Sequence, residues 1–300
     1  MTDLALEHDE LRPLMFSIAY RMLGSVSEAE DVVQEAFLRM HRSVSGGNEL
    51  DNPEAYATTV TTRLAIDSLR SARVRRETYV GPWLPEPILH DDPAHRIEQD
   101  ETVTAAFLVV LERLPPVERA VFILREVFRY EYAEIARIVE KSESNCRQLL
   151  VRAKRHLDAE RPALASVERQ NELADAFFGA LNDGNLEALE RLLAEDATFY
   201  GDGGGKAPAV RTPVEGRVAV ARFIFGLARQ GDRLGVQLER THANGQPGLV
   251  LRASDGKVLG VLTVDVDDDA VIGVRNQINP DKLGHLGEVG DMFGLMSQPR

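Results

Sequence analysis

The sequence is short of the residues that staple a fold or hold a metal. Its one cysteine, Cys146, excludes an intramolecular disulfide and any cysteine-based metal cluster. No apolar run approaches the ~20 residues of a membrane span, and no basic stretch followed by an apolar one opens the chain. A soluble, cytoplasmic protein with no membrane partner is expected. Positive charge is also scarce. The net charge of −13 argues against indiscriminate nucleic-acid binding, because phosphate repels an acidic surface. Neither residues 1–162 nor 163–300 form a basic module. The nucleotide-loop spacing GxxxxGK[ST] is missing, and Asp267-Asp268-Asp269 reads as a solvated hairpin turn rather than a metal site. No cofactor and no metal are expected.

What is present is an ordinary globular composition, 44% hydrophobic and 28% charged over 300 residues, enough for two or three domains. Tyr132 to Leu157 reads as a helix-turn-helix. Ala133, Ile135, Ala136 and Val139 line the first helix, Glu140-Lys141-Ser142 breaks the chain, and Ser142 caps the second helix. Cys146, Leu150, Ala153 and Leu157 give that second helix one apolar face, so Cys146 is expected to act as a small core hydrophobe. The opposite face carries Ser144, Asn145, Arg147, Gln148, Arg152 and Arg155. Short polar side chains at the front of such a helix reach base edges, and arginines further along hold phosphates. In an acidic chain these contacts must be local. Arg70, Arg73, Arg75 and Arg76 form one basic cluster, and Arg147, Arg152, Lys154 and Arg155 another.

Upstream, helices are expected from about Glu10 to Leu23, from a capping box of Ser27 and Glu30 onward, and from Asn52-Pro53-Glu54, where Asn52 caps and Pro53 takes the first helical position. The second of these has an apolar stripe of Ala29, Val32, Val33, Ala36, Phe37 and Met40, and the third is expected to pack through Tyr56, Val60, Leu64 and Leu69. On the second helix Asp31, Gln34 and Glu35 face outward. Two carboxylates at i and i+4 repel by a few tenths of a kcal/mol, so this is a solvated acidic face or a docking surface for a basic partner. Periodicity stops from Thr78 to Asp100, where Pro82, Pro85, Pro87 and Pro93 mark a linker of about 23 residues, roughly 75 to 80 Å when fully extended. Trp83 in that linker is expected to anchor against a domain.

Taken together, Tyr20-Arg21-Met22-Leu23-Gly24, Glu30-Asp31-Val32-Val33-Gln34-Glu35-Ala36-Phe37 and Leu114-Pro115-Pro116-Val117-Glu118-Arg119 ahead of the helix-turn-helix resemble extracytoplasmic-function sigma factors of the sigma-70 family. The resemblance covers residues 10–158 and implies two all-α sigma domains: region 2 over 1–77 and region 4 over 101–162, joined by the linker 78–100. It implies core RNA polymerase and promoter DNA as partners. Asp31, Gln34 and Glu35 match the face that docks on the coiled coil of the polymerase's largest subunit. Asn52, Arg63 and Arg70 match the minus-ten region, with Arg73, Arg75 and Arg76 as phosphate contacts. Ser144, Asn145, Arg147 and Gln148 match the reader of the minus-thirty-five element, supported by Arg152 and Arg155.

Such factors normally stop near Leu157, yet another domain follows over 163–285, with a tail at 286–300. Helices are expected at 168–181, 186–193 and 218–229. Four strands follow at about 234–243, 248–254, 257–266 and 270–278, with Asn244-Gly245 and Asp255-Gly256 as turns. The reading is α+β with a curved antiparallel sheet, and it resembles the SnoaL-like, NTF2-like cone fold. Sigma factors with this extension form a group that includes the sigma J type, and Asp202-Gly203-Gly204-Gly205-Lys206, the tail Asn279-Pro280-Asp281-Lys282-Leu283 and Trp83-Leu84-Pro85-Glu86-Pro87 look like that group's motifs. In that group the extension regulates the factor in cis, so these residues are expected to make regulatory contacts. The glycine run is either such a contact or a flexible hairpin tip. The resemblance also leaves open a small-molecule ligand in the cone, where Asp202, His242, Asp265, Arg275 and Asn276 would form an acid-base set if they line it. A lone histidine on a strand is more often a satisfied surface group, and the protein is not expected to be an enzyme. The rival reading is a ligand-responsive DNA-binding regulator that acts without polymerase core.

Overall fold

The computed structural model describes residues 4–47, 50–90, 103–158 and 165–297. Pro93, Asp91-Asp92 and the start of the helix expected at Glu101 lie outside these residues, as do the side chains of Arg73, Arg75 and Arg76. The chain divides into two compact units. One is formed mainly by Met1–Thr78 and Phe107–Arg161, the other by Tyr79–Asp91, Thr104–Ala106 and Pro162–Arg300.

The first unit is helical. α1 (Leu4–Leu23) buries Met15, Ile18 and Met22, and Gly24 beyond it takes a positive φ of 65° as expected of a residue just past a helix end. α2 (Val26–Ser45) starts two residues earlier than the expected capping box implies. Ser25, not Ser27, is the cap, its hydroxyl accepting from the Glu28 amide at 3.1 Å, while Glu30 is drawn aside to Arg12 at 2.5 Å. α3 (Pro53–Glu77) is capped by Asn52, whose Oδ1 accepts from the Ala55 amide at 2.9 Å. Its buried face is made of Ala57, Thr58, Thr61, Thr62, Ala65, Ile66 and Leu69. Of the residues expected to pack there, Leu69 does so, while Tyr56, Val60 and Leu64 sit half-buried beside the face. α4 (Ala105–Leu111) and α5 (Pro116–Phe122) follow, and α5 runs on into a π-helical turn, Ile123–Val127. α6 (Tyr132–Val139) and α7 (Glu143–Asp158) form the helix-turn-helix. Glu140 turns the chain at φ 55° and the Ser142 hydroxyl caps α7 by accepting from the Asn145 amide at 3.2 Å.

The second unit is a six-stranded sheet wrapped on helices. α8 (Val167–Asn182) and α9 (Leu186–Leu192) lead into β1 (Leu193–Asp202), then β2 (Val214–Glu215), α10 (Arg217–Arg233), β3 (Gln237–Ala243), β4 (Gln246–Arg252), β5 (Val258–Val266) and β6 (Val271–Gln277). The strand order is β2-β1-β6-β5-β4-β3. The four expected strands, β3 to β6, pair antiparallel, and the sheet is mixed because β1, which was not expected, joins β6 in parallel. Side chains alternate across a strand, and here both faces are covered. Phe199, Leu249, Leu262, Val264 and Val274 point inward onto α8, α9 and α10. Ala243, Val250, Val258, Val261 and Leu283 form a second, smaller apolar patch on the outer face. The Asp267 turn is as expected, its carboxylate accepting from the Asp269 and Ala270 amides at 2.9 and 2.7 Å. The tail makes two short 3-10 turns, Pro280–Lys282 and Gly284–Leu286, and ends in α11 (Met292–Ser297).

Candidate functional site

In the first unit the residues carrying the motifs Tyr20-Arg21 and Glu118-Arg119 are buried ties rather than surface readers. The Arg119 guanidinium, 2% exposed, donates to the Met22 carbonyl at 2.6 Å and pairs with Glu112 at 2.7 Å. Burial presses its pKa down to about 9, and the Glu112 carboxylate opposes that loss of charge. Arg21 is equally enclosed and donates to the Ser17 hydroxyl.

The expected readers fall into three groups. Asp31 and Gln34 are exposed on α2, and Glu35 is half-buried and paired with Arg39 at 2.8 Å. Gln34 edges a groove with Arg12, Glu30, Val33, Phe37 and Leu38. At the front of α7, Ser144, Asn145, Arg147 and Gln148 are exposed together. Arg147 is steadied by Glu143 at 2.8 Å and by lying 4.6 Å over the Tyr132 ring. Further along α7, Arg155 is exposed, but Arg152 pairs with the buried Glu118 at 3.1 Å and Lys154 with Glu126 at 2.9 Å. On α3, Asn52 is spent on its cap and Arg70 pairs with Asp67 at 3.0 Å. Arg63 is held by the helix-turn-helix. Its guanidinium donates to the Ile138 and Arg137 carbonyls at 2.8 and 2.9 Å, satisfying the free end of α6, and it pairs with Glu140 at 3.0 Å. Nearby, Thr58 and the Tyr130 hydroxyl share a hydrogen bond at 2.9 Å. Cys146 is fully buried, and burial raises its thiol pKa.

In the second unit the linker belongs to the sheet. Residues 79–90 run along its outer face, and Leu84, Pro85, Glu86, Pro87 and Ile88 are all buried. A buried irregular chain must satisfy its backbone groups, and the prolines ease this because they carry no N–H. The remaining groups find partners. The Leu84 amide donates to Asp202 at 2.8 Å, and the Leu84 carbonyl accepts from Lys282 at 2.6 Å and Gln277 at 3.1 Å. The Pro87 carbonyl lies 2.7 Å from His285 Nε2. Ile88 bonds Asn244 through both its amide and its carbonyl, and the His90 amide donates to the His242 carbonyl.

Asp202 is the hub. It is 0% exposed. Its carboxylate accepts from the Leu84 amide, Gln277 at 3.1 Å, the Tyr79 hydroxyl at 2.5 Å and the Gly204 amide at 3.1 Å, and it pairs with Lys282 at 2.7 Å. The Lys282 ammonium also lies 4.9 Å from the Tyr79 ring centre and 4.4 Å from that of Trp83. Burial, and next the Asp202 charge, raise the Tyr79 pKa. The Asn279 side chain donates to the Tyr79 hydroxyl at 2.8 Å and accepts from the Asp281 amide at 3.1 Å, so Pro280 is fixed in a tight turn and Leu283 reaches the outer apolar patch. Gly204, at φ 56°, lies so close to Asn279 that a Cβ would overlap its amide. Gly203 and Gly205 shape the same turn, and Lys206 pairs at the surface with Asp281 at 2.6 Å. The glycine run is therefore a close-packed contact and not a loose tip. Tyr79, Gln277, Asn244 and His285 were not anticipated.

The expected acid-base set does not assemble. Only Asn276 lines the interior of the cone. Asp202 faces the linker, and Asp265 pairs with Arg275 at 2.7 Å and accepts from Gln246, which in turn accepts from the Ala105 amide at 2.8 Å. His242 is held at the edge by Asn171 at 2.8 Å. The cause is strand parity: Asp202 and Arg275 alternate with the inward Gly201 and Asn276, so they point to the other face. Among the described residues no cluster of His, Cys, Asp or Glu suits a metal, and no helix is long and apolar enough to cross a membrane.

Comparison with known proteins agrees with this anatomy. The model of Sigma-70 region 2 matches residues 8–75, that of Sigma-70 region 4 matches 104–157 and that of the SnoaL-like domain matches 174–270. With the relatives that follow, these matches show that the chain belongs to the ECF RNA polymerase sigma factors, in the branch carrying a SnoaL-like extension. The sequence is similar to ECF RNA polymerase sigma factor SigJ of Mycobacterium tuberculosis, 39% identical and covering 92% of each chain. It is also similar to the probable ECF sigma factor SigI of that organism, 32% identical over 92% of this chain and 93% of the relative. The crystal structure of SigJ superposes with a TM-score of 0.76 at 34% identity, covering 94% of this chain and 98% of that one. The chain is thus a sigma factor for promoter-specific transcription initiation. The reading as a regulator independent of polymerase is not favoured.

Proposed function

We propose that the cone domain regulates this sigma factor in cis by holding the linker between its two promoter-reading modules. The observation that carries the reading is the seating of residues 79–90 on the sheet around buried Asp202. A free linker of about 23 residues reaches roughly 75 to 80 Å, whereas the residues from 91 to 104 alone reach at most about 50 Å. A seated linker therefore restricts how far regions 2 and 4 can part, and a released one lets them reach two promoter elements at once. Arg63 supports the same reading, since a side chain assigned to the minus-ten element is here bound to the end of α6.

On this reading Asp31, Gln34 and Glu35 dock on the coiled coil of the polymerase's largest subunit. Ser144, Asn145, Arg147 and Gln148 read the minus-thirty-five element, with Arg155 on phosphate, and each good base contact is worth roughly 1 to 3 kcal/mol. Arg63, Arg70, Arg73, Arg75 and Arg76 serve the minus-ten side once the helix-turn-helix lets go, and Arg152 does so for its own element only by leaving Glu118. The test is multi-round transcription with core RNA polymerase by the parent and by D202N/K282M, which keeps the side-chain volumes and removes the buried charge pair. Transcription several-fold above the parent is expected, with an unchanged far-UV spectrum. Equal or lower transcription by the folded variant contradicts the reading.

A further inference from the structure

We propose that the interior of the cone is a binding site for a small neutral molecule, apolar, about one ring in size and bearing a single hydroxyl. The cavity measures about 140 Å³, the size at which a buried apolar void admits a benzene-like guest. Phe199, Phe223, Leu227, Leu249, Leu262 and Ile278 build its wall. Of the polar side chains that line it, Gln230, Asp232 and Asn276, one is buried. Asn276 is 8% exposed and its Oδ1 has no hydrogen-bond partner. Buried polar side chains are normally satisfied, and the groups beside Asn276 on β6 do not supply the bond, because Arg275 and Gln277 are engaged on the opposite face. A hydroxyl both donates and accepts, so it suits the Asn276 amide whichever way that amide is turned.

Charge works against other ligands. Among the described residues no lysine or arginine lines the cavity, and the one carboxylate that does, Asp232, is exposed. An anion finds no counter-charge there. Met292 and Met296 of α11 also line the cavity, and methionine side chains are pliable enough to admit a guest. The occupant touches the linker site through one strand pair. Gly201 and Asn276 face each other across β1 and β6 on the cavity side, and the next pair, Asp202 and Gln277, holds the linker.

The test is calorimetric titration of the full-length protein with p-cresol, toluene and p-toluate, followed by the same titrations on N276L and A228F. Saturable p-cresol binding is expected, at least five-fold tighter than toluene, with none for p-toluate. N276L erases the five-fold preference while toluene still binds, and A228F, which fills the cavity from α10, abolishes both. If N276L fails to fold, A228F decides alone: p-cresol binding that survives the filled cavity overturns the assignment. So does the absence of saturable p-cresol binding at millimolar concentration, equal affinity for toluene and p-cresol, or binding of p-toluate. None of these outcomes bears on transcription, so the linker reading stands or falls separately.

Discussion

At the scale of single residues the molecule separates charges that hold structure from charges that decorate it. Asp202 and Lys282 are removed from water together, and each carries further hydrogen bonds. Leaving one of such a pair unpartnered costs about 3 to 5 kcal/mol. We expect K282A to lower the stability of the cone by that order in urea unfolding. The surface pair Lys206–Asp281 is a control, since both side chains are 58% exposed and such pairs contribute ~1 kcal/mol or less. K206A should therefore unfold within about 1 kcal/mol of the parent. Gly204→Ala should be costly for a different reason, a positive φ combined with overlap on Asn279. About 1 to 3 kcal/mol is expected from thermal unfolding, and a neutral outcome would mean the turn is not packed as described. The Cys146 thiol is buried with its pKa raised, so the thiolate is suppressed at neutral pH and its share grows only as pH rises. A thiol reagent at pH 7.5 should label the native protein far more slowly than the urea-unfolded one.

At the scale of elements the informative contact is α3 on α6. Arg63 donates to two carbonyls at the end of α6, while its ion pair with Glu140 is largely exposed, at 43% and 73%. Charge-assisted bonds to backbone contribute more than an exposed pair. We expect R63A to accelerate hydrogen exchange in α6 of the free protein, and E140A to change it little; equal effects would place the strength in the ion pair instead. The helices themselves were legible from apolar spacing and caps, and α7 kept its Cys146, Leu150, Ala153 and Leu157 face. The packing face of α3 was not, because it is built from Ala57, Thr58, Thr61 and Ala65, small residues that a search for large apolar side chains passes over. Strand β1 was not among the four strands expected, since its first half, Leu193-Ala194-Glu195-Asp196, looks like the end of a helix. Around the linker, Asp202, Trp83, Asn279 and Lys282 were reached through the motif resemblance. Tyr79, Gln277 and His285 were not, because their contacts join residues more than a hundred positions apart. Which face of the sheet Asp202 and Arg275 occupy follows from strand parity, and that needs the register.

At the scale of the whole molecule two regions make separable predictions. Deleting the chain from Asn279 onward removes the partners that Lys282 and His285 give to the linker. Transcription from a cognate promoter should then differ from that of the full chain, and equality would exclude a role for the tail. Charge reversal at Asp31 and Glu35 should instead abolish association with core polymerase in gel filtration while leaving the cone's unfolding unchanged. The linker contact has one more consequence. Trp83 is the only tryptophan in the chain, and it lies beneath the Lys282 ammonium. Fluorescence excited selectively at tryptophan is thus a local optical signal from the seated linker, readable without a label in the free factor and changed when residues 79–90 leave the sheet.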